Sequence, residues 1–190
     1  MKLLLHTCCA PCSIQCVEAL DAEGIRPELF WYNPNIHPYT EYHSRRDTLC
    51  AFAEEKKLPL VIKDEYGLRA FIREVENGAG KDAGRLYQWR PRCGFCYSLR
   101  LEKAARTAAE MGCDAFSTTL LISPYQNHDL IQQIGEEMAV KYGIWFLYRD
   151  FRRRFRKGRV QAREAGYYMQ KYCGCIYSEE ERYLTKRGGE

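Results

Sequence analysis

The chain has 190 residues, 46% hydrophobic content, ten cysteines and a formal net charge of +4. That length supports one domain with a real core. Cysteine at this level lies well below the roughly 8–10% of secreted disulfide scaffolds, which turns attention from structural bridges to metal ligands and catalytic thiols. Met1-Lys-Leu-Leu-Leu5 is too short an apolar prelude for a signal peptide, and no apolar run approaches membrane-spanning length. The expected setting is the cytoplasm, with no membrane partner.

In chain order, Lys2–His6 reads as a buried strand and Ser13–Ala22 as a helix after a Pro-containing turn. Glu28–Tyr32 is a second strand, stopped by Asn33-Pro34-Asn35. Tyr39–Lys57 fits a long helix, Leu60–Lys63 a third strand, and Tyr66–Val75 a helix broken by Asn77-Gly-Ala-Gly80. Lys81–Cys96 reads as a functional loop. Helical spacing resumes over Ser98–Met111, capped by Gly112, and Asp114–Leu120 is a fourth strand. Asn127–Tyr142 is a helix ended by Gly143, and Ile144–Tyr148 a fifth strand. Strands alternating with helices predict an α/β fold with a parallel sheet of about five strands. The expected division is an α/β domain over 1–150 and a basic helical extension over 151–190, packed on the same domain.

In such a sheet ligands sit beyond the carboxyl ends of the strands. Cys8 and Cys9 follow the first strand directly, Asn33–His37 the second and Thr118–Gln126 the fourth, so three polar, thiol-bearing loops converge on one crevice. Cys93-Gly-Phe-Cys96 opens a later helix, whose N-terminus favours thiolates. Two close pairs from separate loops supply the four thiolates of an iron–sulfur cluster, and a zinc site built from four cysteines fits the same set. Placement at the functional end of a sheet able to fold by itself favours the cluster. Cys173-Gly-Cys175 is a tight pair suited to a strained, readily reduced bridge. Cys12 is a second metal ligand or a packing residue; Cys16, Cys50 and Cys113 read as small core residues. His37, Tyr39 and Glu41 are candidates for substrate contact. Gly78-Ala-Gly-Lys81 lacks the spacing of a phosphate loop.

Charge is uneven along the chain. Between Arg149 and Arg163 lie seven arginines and Lys157, opposed only by Asp150, a pattern that suits RNA phosphates; Arg153 and Arg154 stand in it. From Ala83 to Leu101, arginines interleave with Tyr87, Trp89, Phe95 and Tyr97, which fits either an RNA face or core aromatics.

Together, His6-Thr-Cys-Cys-Ala-Pro-Cys12, Phe30-Trp-Tyr-Asn-Pro-Asn-Ile-His-Pro38, Arg92-Cys-Gly-Phe-Cys96, Ser117-Thr-Thr-Leu-Leu-Ile-Ser-Pro-Tyr125 and Tyr172-Cys-Gly-Cys175 resemble the cobalamin-independent epoxyqueuosine reductases of the QueH type. Five ordered motifs spanning nearly the whole chain carry the resemblance. It implies an adenine nucleotide alpha-hydrolase-like (HUP) fold, a [4Fe-4S] cluster, an adjacent mononuclear iron and a redox-active disulfide. By motif, Cys8, Cys9, Cys93 and Cys96 are then the cluster ligands, Cys173 with Cys175 the disulfide, and Cys12 a suggested ligand of the second iron. The implied activity is two-electron deoxygenation of epoxyqueuosine in tRNA, leaving an alkene and releasing the oxygen as water. The anticodon stem-loop would meet the basic tail, with His37, Tyr39, Tyr87, Trp89, Arg153 and Arg154 as contacts and an unidentified electron donor as a further partner. The competing readings are an ATP-dependent or sulfur-transferring HUP enzyme and a zinc-thiolate RNA-binding module. Against ATP, the phosphate loop expected after the first strand is replaced by His-Thr-Cys-Cys.

Overall fold

A computed structural model describes residues 1–79 and 91–184. Strand β1 (Leu3–His6) lies at the centre of the sheet, and Leu3, Leu4 and Leu5 are completely buried. An unbroken apolar run of this kind is what a parallel strand covered on both faces requires; each leucine contributes roughly 1.5–3 kcal/mol through burial. Helix α1 (Ala10–Ala22) follows, then β2 (Glu28–Trp31), α2 (Tyr39–Glu55) and β3 (Leu60–Ile62). Helices α3 (Leu68–Ala79) and α4 (Pro91–Glu110) lead to β4 (Ala115–Thr118), which runs into a 3-10 turn over Thr119–Ile122. Helix α5 (His128–Tyr142) and β5 (Trp145–Phe146) complete the sheet.

The five strands are all parallel, in the order β3-β2-β1-β4-β5. The chain winds outward from β1 to β3, then returns to the far side of β1 with β4. That reversal opens a crevice beyond the carboxyl ends of β1 and β4, where His6 is in register with Thr118.

Several expected boundaries move. Helix α3 continues through Asn77-Gly78, because its apolar side packs on α4 and outweighs the roughly 1 kcal/mol that an interior glycine costs. Helix α4 starts at Pro91, well before Ser98, since proline is well suited to the first helical position. The fourth strand is shorter than expected and turns at Thr118, whose hydroxyl accepts from Leu120 N. Asn127 caps α5 by accepting from Leu130 N, and Gly143 ends it in the left-handed conformation with φ 63°.

Beyond a 3-10 turn at Arg152–Arg154, helix α6 (Phe155–Glu164) lies against α1. The approach is close at Gly158, where a Cβ would stand 3.2 Å from Gln15 Cγ and 3.3 Å from Pro11 O. Phe151 and Ala162 are buried in the main core. A short helix α7 (Ile176–Leu184) follows the Cys173-Gly-Cys175 loop. No helix among the described residues is long and apolar enough to cross a membrane.

Candidate thiol–metal site

The first part of the site is the turn between β1 and α1. Thr7 N and Oγ1 both donate to Phe30 O, and Asn33 Nδ2 donates to Thr7 O, tying the turn to β2. Cys9 is the residue before the helix, with Pro11 in the first turn and Ser13 Oγ donating back to Cys9 O at 2.8 Å. This folding brings two consecutive thiols to one side, with Sγ–Sγ 3.8 Å between Cys8 and Cys9. The sulfurs of Cys8, Cys9 and Cys12 all lie within 4.8 Å of one another, and all three residues are buried. Thr119, just past β4, accepts from Cys8 N at 3.2 Å and donates to Cys8 Sγ at 3.5 Å. Thiol donors at Cys12 and Cys9 pull Cys8 well below the usual thiol range. Burial pushes Cys9 up, and Cys12 is pushed up because it keeps its proton as the hydrogen-bond donor to Cys8.

His6 closes the floor beneath these thiols. Its Nε2–H donates to Tyr32 O at 3.2 Å, so Nδ1 is the acceptor, 2.9 Å from the Thr118 hydroxyl. Burial, helped by Arg100, lowers it to about 4, so the ring is neutral.

The second part comes from α4 and the Cys173-Gly-Cys175 loop. Cys93 and Cys96 are three residues apart on the opening turns of α4 and therefore share a helix face. Cys96 is buried and packs with Cys175 and Phe71. Burial pushes the Cys96 thiol up; Arg100 opposes that, while Cys175, Cys173 and Cys93 reinforce it. Cys173 sits exposed at the mouth and accepts from Gln126 Nε2 at 3.2 Å. Although the residue is exposed, enough protein crowds its sulfur to push this thiol up as well. Cys173 and Cys175 stand as two thiols.

Two buried arginines hold these groups. Arg100, one helical turn after Cys96, is 2% exposed and donates from Nε to Cys96 O at 3.2 Å. Its Nη2 has no hydrogen-bond partner, and no carboxylate pairs with it among the described residues. Burial works against its charge; Cys96, Cys173 and Cys8 outweigh that and keep it firmly protonated. Arg45 on α2 is 1% exposed, pairs with Glu41 at 2.6 Å, and donates to Cys173 O at 2.8 Å and Tyr172 O at 2.9 Å. Its protonation is opposed by burial and favoured first by Cys9. Thiols from the first turn, from α4 and from the tail loop thus all contribute to the electrostatic setting of Arg100.

Comparison with known proteins now decides the family. A family model described as "Epoxyqueuosine reductase QueH" matches residues 3–181. The chain belongs to the epoxyqueuosine reductase QueH family. It is 35% identical over 182 residues to "Epoxyqueuosine reductase QueH" of Dehalococcoides mccartyi, covering 96% of this chain and 94% of that one. The protein of the same name from Thermotoga maritima is 38% identical over 183 residues, covering 95% and 91%. A solved structure described as a "predicted subunit of tRNA methyltransferase" from Methanocaldococcus jannaschii superposes with a TM-score of 0.50 at 14% identity, covering 98% of this chain and 88% of that one. That likeness concerns the fold alone, a parallel sheet flanked by helices.

Within this QueH-family chain, the other expected site residues divide by placement. His37 is fully buried. Its Nε2–H donates to Pro34 O at 3.1 Å and its Nδ1 accepts from Ile176 N at 3.3 Å, while its backbone N donates to Gly174 O and its carbonyl accepts from Tyr172 Oη. The residue clamps the Cys173-Gly-Cys175 loop to the β2–α2 loop. Tyr39 is exposed, with its ring 4.2 Å from that of His43. Arg153 is exposed and Arg154 reaches Gln15 Oε1 at 3.3 Å. Tyr87 and Trp89 lie outside the described residues. In the described part of the 83–101 segment, the core reading holds for Tyr97 and Arg100, which are buried; Arg92 pairs with Glu181.

The donor set fits an anionic metal–thiolate group. An unpaired buried guanidinium is costly. A cluster with its thiolates carries net negative charge, and would compensate Arg100 and satisfy its orphaned Nη2–H. Arg100, Arg45, Thr119, Gln126 and Gln170, whose Nε2 donates to Cys12 Sγ at 3.4 Å, are the site residues that the sequence reading did not assign. For Arg100 a signal was present, since four residues after Cys96 on a helix is the same face.

Proposed function

We propose that the chain is an epoxyqueuosine reductase, removing the epoxide oxygen of epoxyqueuosine in tRNA. The observation that carries the reading is the buried Arg100, with no carboxylate partner among the described residues, in the electrostatic reach of the thiols at the switch point of the sheet. Membership of a family whose relatives bear that name supports the substrate. Cys8, Cys9, Cys93 and Cys96 would hold a [4Fe-4S] cluster, and Cys12 stands near enough to the first pair to contribute to an adjacent iron. Such a group supplies single electrons and Lewis acidity. The cytoplasm, where tRNA is found, is the proposed setting, and residues 151–190 are proposed as a basic extension of the 1–150 body.

The protein's own part is placement and charge control. Arg45 and Arg100 favour the thiolate state and offset negative charge where water is scarce. The tail loop places Cys173 at the mouth and Cys175 behind it, so a dithiol–disulfide couple there can exchange electrons with an outside donor while its inner sulfur stays covered. Exposed Tyr39 and the basic tail remain the proposed RNA contacts of the original set. His37, with both ring nitrogens committed to backbone, would act through the loop it holds.

The test is mass analysis of nucleosides from epoxyqueuosine-bearing tRNA after incubation with anaerobically purified protein and a chemical reductant. Conversion to a product lighter by one oxygen is expected, without ATP. ATP-dependent turnover, or a sulfur-containing product, would overturn the reading.

A further inference from the structure

Tyr125 is the most exposed aromatic residue among those described, at 78%. Nothing in the fold requires an aromatic there, because a ring this exposed gains little from burial. Its backbone is nevertheless fixed. Tyr125 N donates to Ser123 Oγ at 3.2 Å, and the next residue, Gln126, accepts from Tyr97 Oη at 2.6 Å while donating to Cys173 Sγ at 3.2 Å. The ring therefore stands at the rim of the thiol crevice, one residue from a direct contact with its outermost sulfur. On its other side it meets Phe155, the first residue of α6, edge-on at 5.9 Å between centroids. Phe155 carries the Arg159 guanidinium 5.7 Å from its ring centre.

The charge beside this ring is sorted by the fold. Arg149 pairs with Glu23, Arg152 with Asp150 and Lys157 with Glu18, and Arg154 is spent on Gln15. Arg153, Arg156, Arg159 and Arg163 have no carboxylate partner among the described residues. Arg159 is set beside the ring pair by its contact with Phe155, and an aromatic face with an uncompensated guanidinium next to it matches the two things an unstacked nucleotide presents, a π-face and a phosphate.

We propose that Tyr125 is a stacking platform for an unpaired base of the RNA, with Arg156 and Arg159 of α6 taking the adjoining phosphates. The inference rests on the RNA-modifying reading above and adds the seat that orients the strand at the crevice. Stacking one base explains how a single nucleotide is presented next to Cys173 without reading its edges.

The experiment uses the full chain and an unmodified anticodon stem-loop RNA carrying 2-aminopurine at single loop positions. Wild-type protein quenches the 2-aminopurine at one position on binding. Tyr125→Ala weakens affinity roughly tenfold and abolishes that quench, whereas Tyr125→Phe keeps both. Arg156→Ala weakens binding without restoring fluorescence, and lowers the slope of log affinity against log salt by about 0.7–1. Tyr125→Ala binding and quenching like wild type would overturn the platform and leave the RNA reading intact. Failure of the wild type to bind the RNA would overturn both.

Discussion

Arg100 shows how one residue can be visible in a sequence and still be left without a role. In the chain it is one of several arginines among aromatics, a pattern that suits RNA. In the fold it is buried, four residues after Cys96, with a donor left unpaired. Burial is set by which face of α4 meets β1 and β4, and that was obscured because the helix starts at Pro91, inside a segment expected to be a loop. A residue supporting metal ligands in this way is worth roughly 10–100-fold in metal affinity. Arg100→Gln is therefore expected to lose iron to a chelator at correspondingly lower concentrations, as read by metal analysis after dialysis. Retention equal to wild type would show that the guanidinium serves packing alone. The grouping of Cys8, Cys9 and Cys12 was legible for the opposite reason: their local spacing survives folding, and the three meet within one turn.

Among the elements, the sheet was readable because β1 and β2 are short, mainly apolar runs bounded by turn residues, and the caps of α5 are explicit in Asn127 and Gly143. The tail loop was not, since its position depends on contacts more than 120 residues away, from His37 and Arg45. Gly174 is the element's tightest point. Its φ is +147°, and a Cβ would lie 3.2 Å from Ile36 Cγ1 and 3.3 Å from Arg45 Nη1. Gly174→Ala should cost about 1–3 kcal/mol locally. The expected signature is faster alkylation of Cys175, with overall melting lowered only modestly; unchanged Cys175 reactivity would mean that the loop tolerates the change.

At the scale of the molecule, the sequence hides charge pairing. The run from Arg149 to Arg163 has one acid within it, yet α1 and the residue that caps it bring Glu18 and Glu23 to it, leaving a smaller and more directional positive face. Two buried neutral histidines also set a global pH response. His6 and His37 are each lowered to about 4 from an ordinary 6.5, in both cases chiefly by burial. Between those values the unfolded chain binds protons that the folded chain refuses, so stability rises with pH across the window and falls on acidification. Each group supplies on the order of 3 kcal/mol over the full span. The urea midpoint should therefore drop steadily from pH 6.5 to pH 4, and His37→Gln should flatten the profile. A midpoint independent of pH in this range would contradict the neutral assignment.

Iron and acid-labile sulfide, counted per chain after strictly anaerobic purification, address the thiol centre itself. About four sulfides with four or more irons are expected in the wild type, and both should vanish together in Cys93→Ala. Stoichiometric zinc with neither iron nor sulfide would contradict the account.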